Sequence, residues 1–240
     1  MPEAGFPLKR HEDILSLEEL FQVAAYAVSI GFSKIRLTGG EPLGRKNIEY
    51  LVSLIGKLDG LKDFGMTTNG WLLPTYAASL KEAGLHRINL SLDSLDPEKY
   101  RYITRGGELA HALAGLDAAQ VAGLTPVKIN VVLIPGWNDG EKDTFLTFGE
   151  THGVDVRFIP QMDLHTGQRQ GVEGNTTVGQ CALCNRLRLT CDGWLKPCLF
   201  SEYQVNIRDA GIAQAFDQAL HNKPEYGSRN EKENMYQIGG

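Results

Sequence analysis

All four cysteines of the chain lie in one short segment near its carboxyl end, CALCNRLRLTCDGWLKPC. Cys181 and Cys184 are separated by two residues, and Cys191 and Cys198 follow. Two thiolates three positions apart can bind one metal ion or one iron–sulfur cluster. The first residues, MPEAGFPLKR, lack the apolar core of a signal peptide. We therefore expect an intracellular protein whose clustered cysteines are metal ligands or redox thiols and not a disulfide framework.

The residues between the cysteines predict a β-hairpin. Asn185 to Thr190 alternates as a strand, Cys191-Asp192-Gly193 supplies a turn, and Trp194 to Lys196 returns. Cys191 falls in register with Leu187 and Leu189, so we expect it to pack beside them and not to ligate.

Three candidate ligands then remain, which are Cys181, Cys184 and Cys198. An iron–sulfur cluster held by three thiolates has one iron open to a substrate. Arg186 and Arg188 lie on the opposite side of the strand from the leucines, where they suit a phosphorylated or electron-rich heterocyclic ligand. A structural zinc ribbon with Cys191 as fourth ligand fits the same spacing, and spacing alone leaves both alternatives open.

Helix, glycine and strand recur five times ahead of the cysteines. A capping-box pattern, Ser16 with Glu19, opens the first helix, and each helix ends at a glycine followed by an apolar residue. The β-rich runs are KIRLT, FGMTT, RINLSL, VKINVVL and VRFIP. This order predicts parallel βα units, in either an open doubly wound sheet or an incomplete (β/α) barrel.

Polar residues interrupt several of these strands. Arg36 with Thr38, and Lys128 with Asn130, share a face because side chains alternate along a strand. Buried central strands are usually continuous apolar runs, so these charges predict a polar interior that faces an anionic ligand. The alternative is that Arg36 and Lys128 reach the rim and pair with Asp or Glu.

Composition limits the function classes. The chain has 240 residues, is 42% hydrophobic and carries a net charge of −5, which suits one domain with a sizeable core and a small appendage. Mild acidity argues against a nucleic-acid partner, and no apolar run is long enough to span a membrane.

A set of motifs in fixed order resembles a known family. The motifs are KIRLTGGEPLGRK, MTTNGWLL, RINLSLDSLDPEKY, PVKINVV, VRFI, CNRLRLT, KPCLF and a terminal IGG. Together they resemble the GTP 3′,8-cyclases of molybdenum cofactor biosynthesis, which are radical S-adenosylmethionine (SAM) enzymes, over nearly the whole chain. Many radical SAM enzymes share Gly-Gly-Glu-Pro, whereas CNRLRLT with its cysteine spacing and the Gly-Gly tail are specific to this family.

The resemblance implies an α/β fold, an incomplete (β/α)6 radical SAM partial TIM barrel that misses its first strand. It implies a barrel over residues 1–162, a shortened linker over 163–180, and a C-terminal auxiliary-cluster extension with a Gly-Gly tail over 181–240.

The resemblance also implies a set of site residues. GTP contacts would be Arg36, Thr67, Lys128, Arg186, Leu187 and Arg188. SAM contacts would be Gly40, Ser91 and Met162. Ligands of a second [4Fe–4S] cluster would be Cys181, Cys184 and Cys198, and the tail that the family inserts into its active site would be Gly239 and Gly240.

The implied reaction converts GTP to 3′,8-cyclo-7,8-dihydro-GTP through a 5′-deoxyadenosyl radical. A first [4Fe–4S] cluster cleaves SAM, and the second, auxiliary cluster binds guanine. Implied partners are GTP, a reductant such as flavodoxin or ferredoxin, and the downstream cyclic pyranopterin monophosphate synthase, with no nucleic acid, no membrane, and a homodimer allowed. The implied location is the cytoplasm, or the mitochondrial matrix in a eukaryote.

The chain departs from the family in ways that bear on activity. The CxxxCxxC motif for the SAM-cleaving cluster is absent, the segment between Met162 and Cys181 is short, and Pro160-Gln161 replaces a glutamate-containing pair. We therefore expect the 240 residues not to turn GTP over. The alternatives are an intact cyclase whose recorded chain is incomplete, a degenerate non-catalytic paralogue that binds GTP and an iron–sulfur cluster, and a zinc-ribbon α/β binding module.

Overall fold

The computed structural model of the protein describes residues 9–161 and 184–227. The chain forms two compact units, one of residues 27–161 and one that combines residues 1–26 with 162–240. The sequence-based boundaries at residues 162 and 181 lie outside the described residues. No helix in the described ranges is long and apolar enough to cross a membrane.

The larger unit is built around five parallel strands. They are β1 Lys34–Leu37, β2 Asp63–Thr68, β3 Arg87–Ser91, β4 Lys128–Leu133 and β5 Asp155–Pro160. Helices connect them: α2 Ile48–Ile55, α3 Leu73–Glu82, α4 Pro97–Thr104, α5 Leu109–Val121 and α6 Lys142–His152, with short 3₁₀ turns at Pro42–Gly44 and Asp139–Glu141. All five strands predicted from the sequence are confirmed.

Strand order decides between the two predicted architectures. The strands pair in the order β1-β2-β3-β4-β5, and every pair is parallel. A doubly wound sheet reverses its winding at a switch point, whereas right-handed crossovers that advance in one direction leave all helices on one face of the sheet. The order is therefore that of a partial (β/α) barrel.

Alternation along the strands separates an apolar face from a polar one. Phe64, Met66, Ile88, Leu90 and Ile129 are fully buried and share the apolar face, which the helices cover. Five glycines close the turns before the strands in left-handed conformation, as the sequence predicts: Gly31, Gly60, Gly84, Gly123 and Gly153.

One helix approaches the sheet closely because two glycines meet. A Cβ atom on Gly115, in the middle of α5, would lie 2.2 Å from the carbonyl oxygen of Gly70. Gly70 itself follows β2 with φ of +85°, and a Cβ there would lie 2.5 Å from Leu90. The contact fixes α5 against the carboxyl end of β2.

The smaller unit contains most of α1 (Leu17–Ser29), a small antiparallel sheet and two helices. Its elements are β6 Arg188–Leu189, β7 Trp194–Lys196, β8 Val205–Asn206, α7 Ile207–Ala210 and α8 Ile212–His221, after a 3₁₀ turn at His11–Asp13. The predicted hairpin is confirmed, although β6 is shorter than the predicted strand.

The predicted capping box at the start of α1 (Leu17–Ser29) is confirmed. The backbone N–H of Ser16 donates to Glu19 Oε2 at 2.7 Å, and that of Glu19 donates to Ser16 Oγ at 3.1 Å. Arg208 of α7 donates to both oxygens of the same carboxylate, at 2.8 and 2.9 Å. Together with the bond from Leu15 N–H to the carbonyl of Cys191, these contacts join residues before α1 to the cysteine hairpin.

Candidate functional site

Strand register gathers polar side chains from all five strands on one face of the sheet. Residues paired across parallel strands point to the same side. The face, called the polar face below, comprises Lys34, Arg36, Asp63, Thr67, Arg87, Asn89, Ser91, Lys128, Asn130, Asp155 and Arg157. Five of these residues are basic and two are acidic, so the face has an excess of positive charge that suits an anionic ligand.

A hydrogen-bonded chain fixes Thr67, a predicted GTP contact. Arg87 donates to both carboxylate oxygens of Asp63, at 2.7 and 2.8 Å, and to Asn89 Oδ1 at 3.0 Å. Asn89, whose exposure is 2%, in turn donates to Thr67 Oγ1 at 3.4 Å. The network orients the Thr67 hydroxyl near the carboxyl end of β2.

The same network sets the protonation of its carboxylate. The hydrogen bonds from Arg87 hold the pKa of Asp63 below its usual value, and the positive charges of Lys34 and Arg36 act in the same direction. Asp63 therefore stays ionised and offsets one of the five basic charges of the polar face.

Lys128, another predicted GTP contact, lies in an ion pair. Its Nζ lies 3.1 Å from Asp155 Oδ2 on the neighbouring strand, and both side chains are well exposed, by 41% and 64%. The predicted alternative that Lys128 pairs with a carboxylate is thus confirmed, and the exposure leaves the ammonium accessible to a ligand as well. Arg36 lies on the same face, close enough to Asp63 to affect its pKa.

The Gly-Gly-Glu-Pro motif ends β1 and ties it to the end of β2. Glu41 Oε1 accepts from Thr68 Oγ1 at 2.7 Å, and Oε2 accepts from the Asn69 N–H at 2.8 Å. Gly40, a predicted SAM contact, is exposed, and a Cβ there would meet nothing within 4 Å. Glu41 thus fixes the loop that contains Gly40. Because the space beside Gly40 is free, a ligand can approach the backbone there closely.

Asp93, which is half-buried, and the buried Asn138 fix the carboxyl ends of β3 and β4. Asp93 Oδ1 accepts from the Val132 N–H at 2.7 Å, and burial raises the pKa of this carboxyl. Asn138, which is fully buried, accepts from the Ile134 N–H and donates to the carbonyls of Asp93 and Val132. Ser91, the second predicted SAM contact in the described ranges, ends β3 on the polar face opposite Asn130.

In the smaller unit, two of the three predicted cluster ligands are described. Cys184 is exposed, Cys198 is half-buried, and both are free thiols. Cys198 Sγ accepts the Phe200 N–H at 3.4 Å, and N–H donors to sulfur are typical of cysteines that hold iron–sulfur clusters.

Arg188 connects the two thiols electrostatically. Burial lowers the pKa of its guanidinium, as does the neighbouring Arg186, while Cys184 and Cys198 raise it. Arg188 therefore lies near both thiols and near Arg186, and this arrangement fits a negatively charged metal–sulfur group. The third predicted ligand, Cys181, lies outside the described residues, as do Met162, Gly239 and Gly240. The described residues contain no group of three or more His, Cys, Asp or Glu side chains able to hold a metal.

The expectation that Cys191 packs beside the leucines is wrong. The strand alternation stops at Thr190, which is buried, and Cys191 begins the turn that continues to Gly193 (φ +91°). Cys191 is therefore exposed at the tip of the hairpin.

Lys223 is a residue of this region that the sequence patterns did not single out. Its Nζ donates to the carbonyl oxygens of Arg186 and Pro197, at 2.9 and 2.6 Å, and lies 4.0 Å from Cys184 Sγ. The only sequence signal is a basic residue between the end of α8 and Pro224, and that pattern is typical of any helix end.

Comparisons with known proteins identify the family of the chain. Residues 3–148 match the model of the radical SAM superfamily, and residues 169–235 match that of Molybdenum Cofactor Synthesis C. The chain is 39% identical to a GTP 3′,8-cyclase of Peptoclostridium acidaminophilum, with all of this chain and 90% of that protein covered. The chain belongs to the GTP 3′,8-cyclase family of the radical SAM superfamily.

Another member of the GTP 3′,8-cyclase family, from Alkaliphilus oremlandii, is also 39% identical and is covered to 92%. The alignment with the first relative spans 292 positions against 240 residues in this chain, so 52 positions have no counterpart here. The expected shortening of the segment between Met162 and Cys181 stays a prediction.

Among solved structures, the crystal structure of Streptococcus suis SuiB bound to S-adenosylmethionine is similar, with a TM-score of 0.52 and 14% identity. The match covers 89% of this chain and 60% of that one. At this identity the likeness concerns the fold alone, and it supports the partial barrel derived from strand order.

Proposed function

We propose that this chain serves the GTP 3′,8-cyclase reaction of molybdenum cofactor biosynthesis, the formation of 3′,8-cyclo-7,8-dihydro-GTP, by binding the nucleotide on its polar face. The observation that carries the proposal is the excess of basic residues on the polar face of a chain whose relatives are named for GTP chemistry. A triphosphate is the part of GTP that such a face would bind most strongly.

Arg36, Thr67 and Lys128 would each have a distinct role toward GTP. The guanidinium of Arg36 and the ammonium of Lys128 would neutralise phosphate charge, and the Thr67 hydroxyl, oriented by Asn89, would donate or accept one hydrogen bond. In the smaller unit, Arg186 and Arg188 offer planar donors for the nucleotide, and Leu187 offers an apolar contact.

The SAM contacts of the proposal are Gly40, Ser91 and Met162. Gly40 allows backbone to approach the ligand, and Ser91 offers a hydroxyl at a strand end. A SAM-cleaving cluster requires three thiolates of its own, and no cysteine of these 240 residues precedes Cys181. The residues present do not fit that cluster, and we propose that this chain by itself does not turn GTP over.

The auxiliary [4Fe–4S] cluster of the proposal would be held by Cys181, Cys184 and Cys198. When bound, it supplies one iron with an open position to which guanine can coordinate. The free thiols, the N–H donor to Cys198 and the adjacent guanidinium groups support this assignment. Gly239 and Gly240 would form the tail that enters the active site.

The wider setting of the proposal follows from the family. The electron donor would be a flavodoxin or ferredoxin, and the product would pass to cyclic pyranopterin monophosphate synthase. The site of action would be the cytoplasm, or the mitochondrial matrix in a eukaryote, and the chain would act alone or as a homodimer.

The proposal is tested by anaerobic reconstitution followed by iron and sulfide analysis and by equilibrium dialysis with GTP. We expect about four irons and four sulfides per chain, the content of one [4Fe–4S] cluster, and GTP binding that Lys128→Gln weakens. Lys81→Gln is the matched control, because Lys81 lies on α3 and donates to the Gly123 carbonyl, away from the polar face.

Three outcomes would contradict the proposal or favour an alternative. One zinc per chain with no sulfide would favour a zinc-ribbon binding module. A loaded cluster with no GTP binding would contradict the nucleotide assignment. Product formed from GTP, SAM and reductant by these 240 residues would contradict the proposed lack of turnover.

A further inference from the structure

Lys223 joins the two chain segments that carry Cys184 and Cys198. The first carbonyl it binds belongs to Arg186, two residues after Cys184, and the second belongs to Pro197, directly before Cys198. Lys223 itself follows α8, so a single side chain connects the end of this helix to both cysteine-bearing segments.

The geometry of the ammonium group leaves one donor for sulfur. A lysine ammonium has three N–H donors and no acceptor. The carbonyls of Arg186 and Pro197 take two of them, at 2.9 and 2.6 Å, and Cys184 Sγ lies 4.0 Å from the same nitrogen. The positive charge is thereby held beside the thiol, because the two carbonyl bonds restrict the side chain.

Lys196, on β7, donates to Gln204 Oε1 at 2.8 Å, and the other basic groups of this region are assigned to the nucleotide. Arg186 and Arg188 lie on or beside β6, and the proposed function gives both of them to GTP. Lys223 is therefore the described cation that is held at a candidate cluster ligand by backbone carbonyls.

We propose that Lys223 is a positioning residue for the auxiliary iron–sulfur cluster, whose charge it compensates and whose reduction potential it raises. The inference rests on the proposed function, since it assumes that Cys184 and Cys198 hold a cluster. Three thiolates leave a [4Fe–4S]²⁺ cluster with net negative charge, and one-electron reduction adds another negative charge. A fixed cation nearby stabilises the reduced form more than the oxidised form.

The test compares neutral and charged replacements of Lys223 in the full chain after anaerobic reconstitution. Lys223→Gln and Lys223→Met remove the charge with different polarity, Lys223→Arg keeps it, and Lys81→Gln removes a lysine that binds a carbonyl far from the cysteines. The measurements are iron and sulfide content, the melting temperature of the metal-free protein, and the midpoint potential from a dithionite titration followed by electron paramagnetic resonance.

We expect the midpoint potential to shift to more negative values in both neutral variants and to stay near the wild-type value in Lys223→Arg and Lys81→Gln. If a neutral variant holds no cluster although its metal-free form melts like wild type, and Lys223→Arg does hold one, the charge is needed for assembly and the proposal stands.

Three results would overturn the role of Lys223. If a neutral variant holds the cluster and its midpoint potential equals that of the wild type, the side chain serves only to bind the two carbonyls. Equal loss of cluster and of fold in the Gln, Met and Arg variants would show the same. A wild-type chain that binds no cluster would overturn the proposed function itself, and this outcome is distinguishable because it appears before any substitution is made.

Discussion

Lys128 lies 3.1 Å from Asp155, so a nucleotide phosphate has to compete with a carboxylate for the same ammonium. Both groups are exposed, and such a pair contributes only about 0.2–1 kcal/mol, so its loss does not endanger the fold. We expect Asp155→Asn to strengthen GTP binding a few-fold, because the ammonium is then available to phosphate. Lys128→Gln is expected to weaken binding about tenfold or more, the effect of one lost charge-assisted hydrogen bond.

Equilibrium dialysis with GTP measures both changes. Asp117→Asn is the control, because it removes an exposed carboxylate from α5 and leaves the polar face unchanged. Weaker binding in Asp155→Asn would mean that Asp155 orients Lys128 for the ligand, and the competition described here would be wrong.

Single residues also show where prediction from the sequence reaches its limit. Parity along a strand predicts that Lys128 and Asn130 share a face, but the partner of Lys128 depends on the register between β4 and β5, which is a tertiary property. Cys191 shows a different limit. The alternation of side chains along the strand predicts that Cys191 packs beside the leucines, but the alternation ends where the turn begins. Lys223 had no signal, since its contacts come from segments far apart in the chain.

At the scale of elements, the close approach of α5 to Gly70 gives a sharp prediction. Gly115→Ala is expected to destabilise the protein, because the added Cβ would lie 2.2 Å from a backbone carbonyl oxygen that cannot rotate away. Overpacking of this kind costs about 1–3 kcal/mol, and the higher helix propensity of alanine returns about 1 kcal/mol.

Urea unfolding measures the difference in free energy of unfolding. Gly140→Ala is the matched control, because a Cβ there meets nothing within 4 Å. A Gly115→Ala protein as stable as the control would mean that α5 can shift away from β2 without cost. We expect instead that GTP binding also weakens, since Thr67 lies three residues before Gly70.

The start of α1 carries a pH dependence. Hydrogen bonds from Arg208, and then from the Ser16 N–H, lower the pKa of Glu19 from 4.5 to about 2. Because the folded-state pKa is depressed, the contribution to stability is present above about pH 4.5 and is lost as the pH falls through about 2. The side chains of Glu19 and Arg208 are both about one-third exposed. Solvent screening therefore limits the contribution of this ion pair to stability to about 1 kcal/mol or less.

Glu19→Gln separates the charge from the cap, because glutamine also accepts from the Ser16 N–H in a capping box. We expect the wild type to be more stable than Glu19→Gln near neutral pH, and chemical denaturation should show this difference shrinking as the pH falls from about 4.5 through about 2. A difference that persists unchanged at the lower pH would assign the effect to packing and not to the ion pair.

The elements themselves were predictable because local and global signals agree. Capping at Ser16, five left-handed glycines and five β-rich runs each specify a boundary through short-range chemistry, and all are observed. Strand order was not predictable from these signals, because βα repeats fit two architectures until the pairing is known. The order then explains why one face of the sheet is polar along all five strands.

The whole molecule carries a net charge of −5, yet the polar face of its sheet has five basic residues against two acidic ones. The positive potential of the polar face therefore attracts a triphosphate, although the negative net charge of the protein repels it. Salt screens such fields over about 10 Å at 0.1 M, so we expect the affinity for GTP to fall several-fold as KCl rises from about 0.05 to 0.5 M. Guanosine, which lacks phosphate, should bind with an affinity that salt hardly changes.

Dialysis of both ligands across the same salt series tests this expectation, and the double variant Arg36→Gln/Lys128→Gln provides the decisive comparison. Removal of two of the five basic charges should flatten the salt dependence of GTP binding toward that of guanosine, whereas Lys81→Gln should leave it unchanged. If the double variant keeps the full salt dependence, the triphosphate is bound elsewhere on the protein. Binding of GTP and guanosine with the same response to salt would mean that the base, and not the phosphate charge, is what this chain recognises.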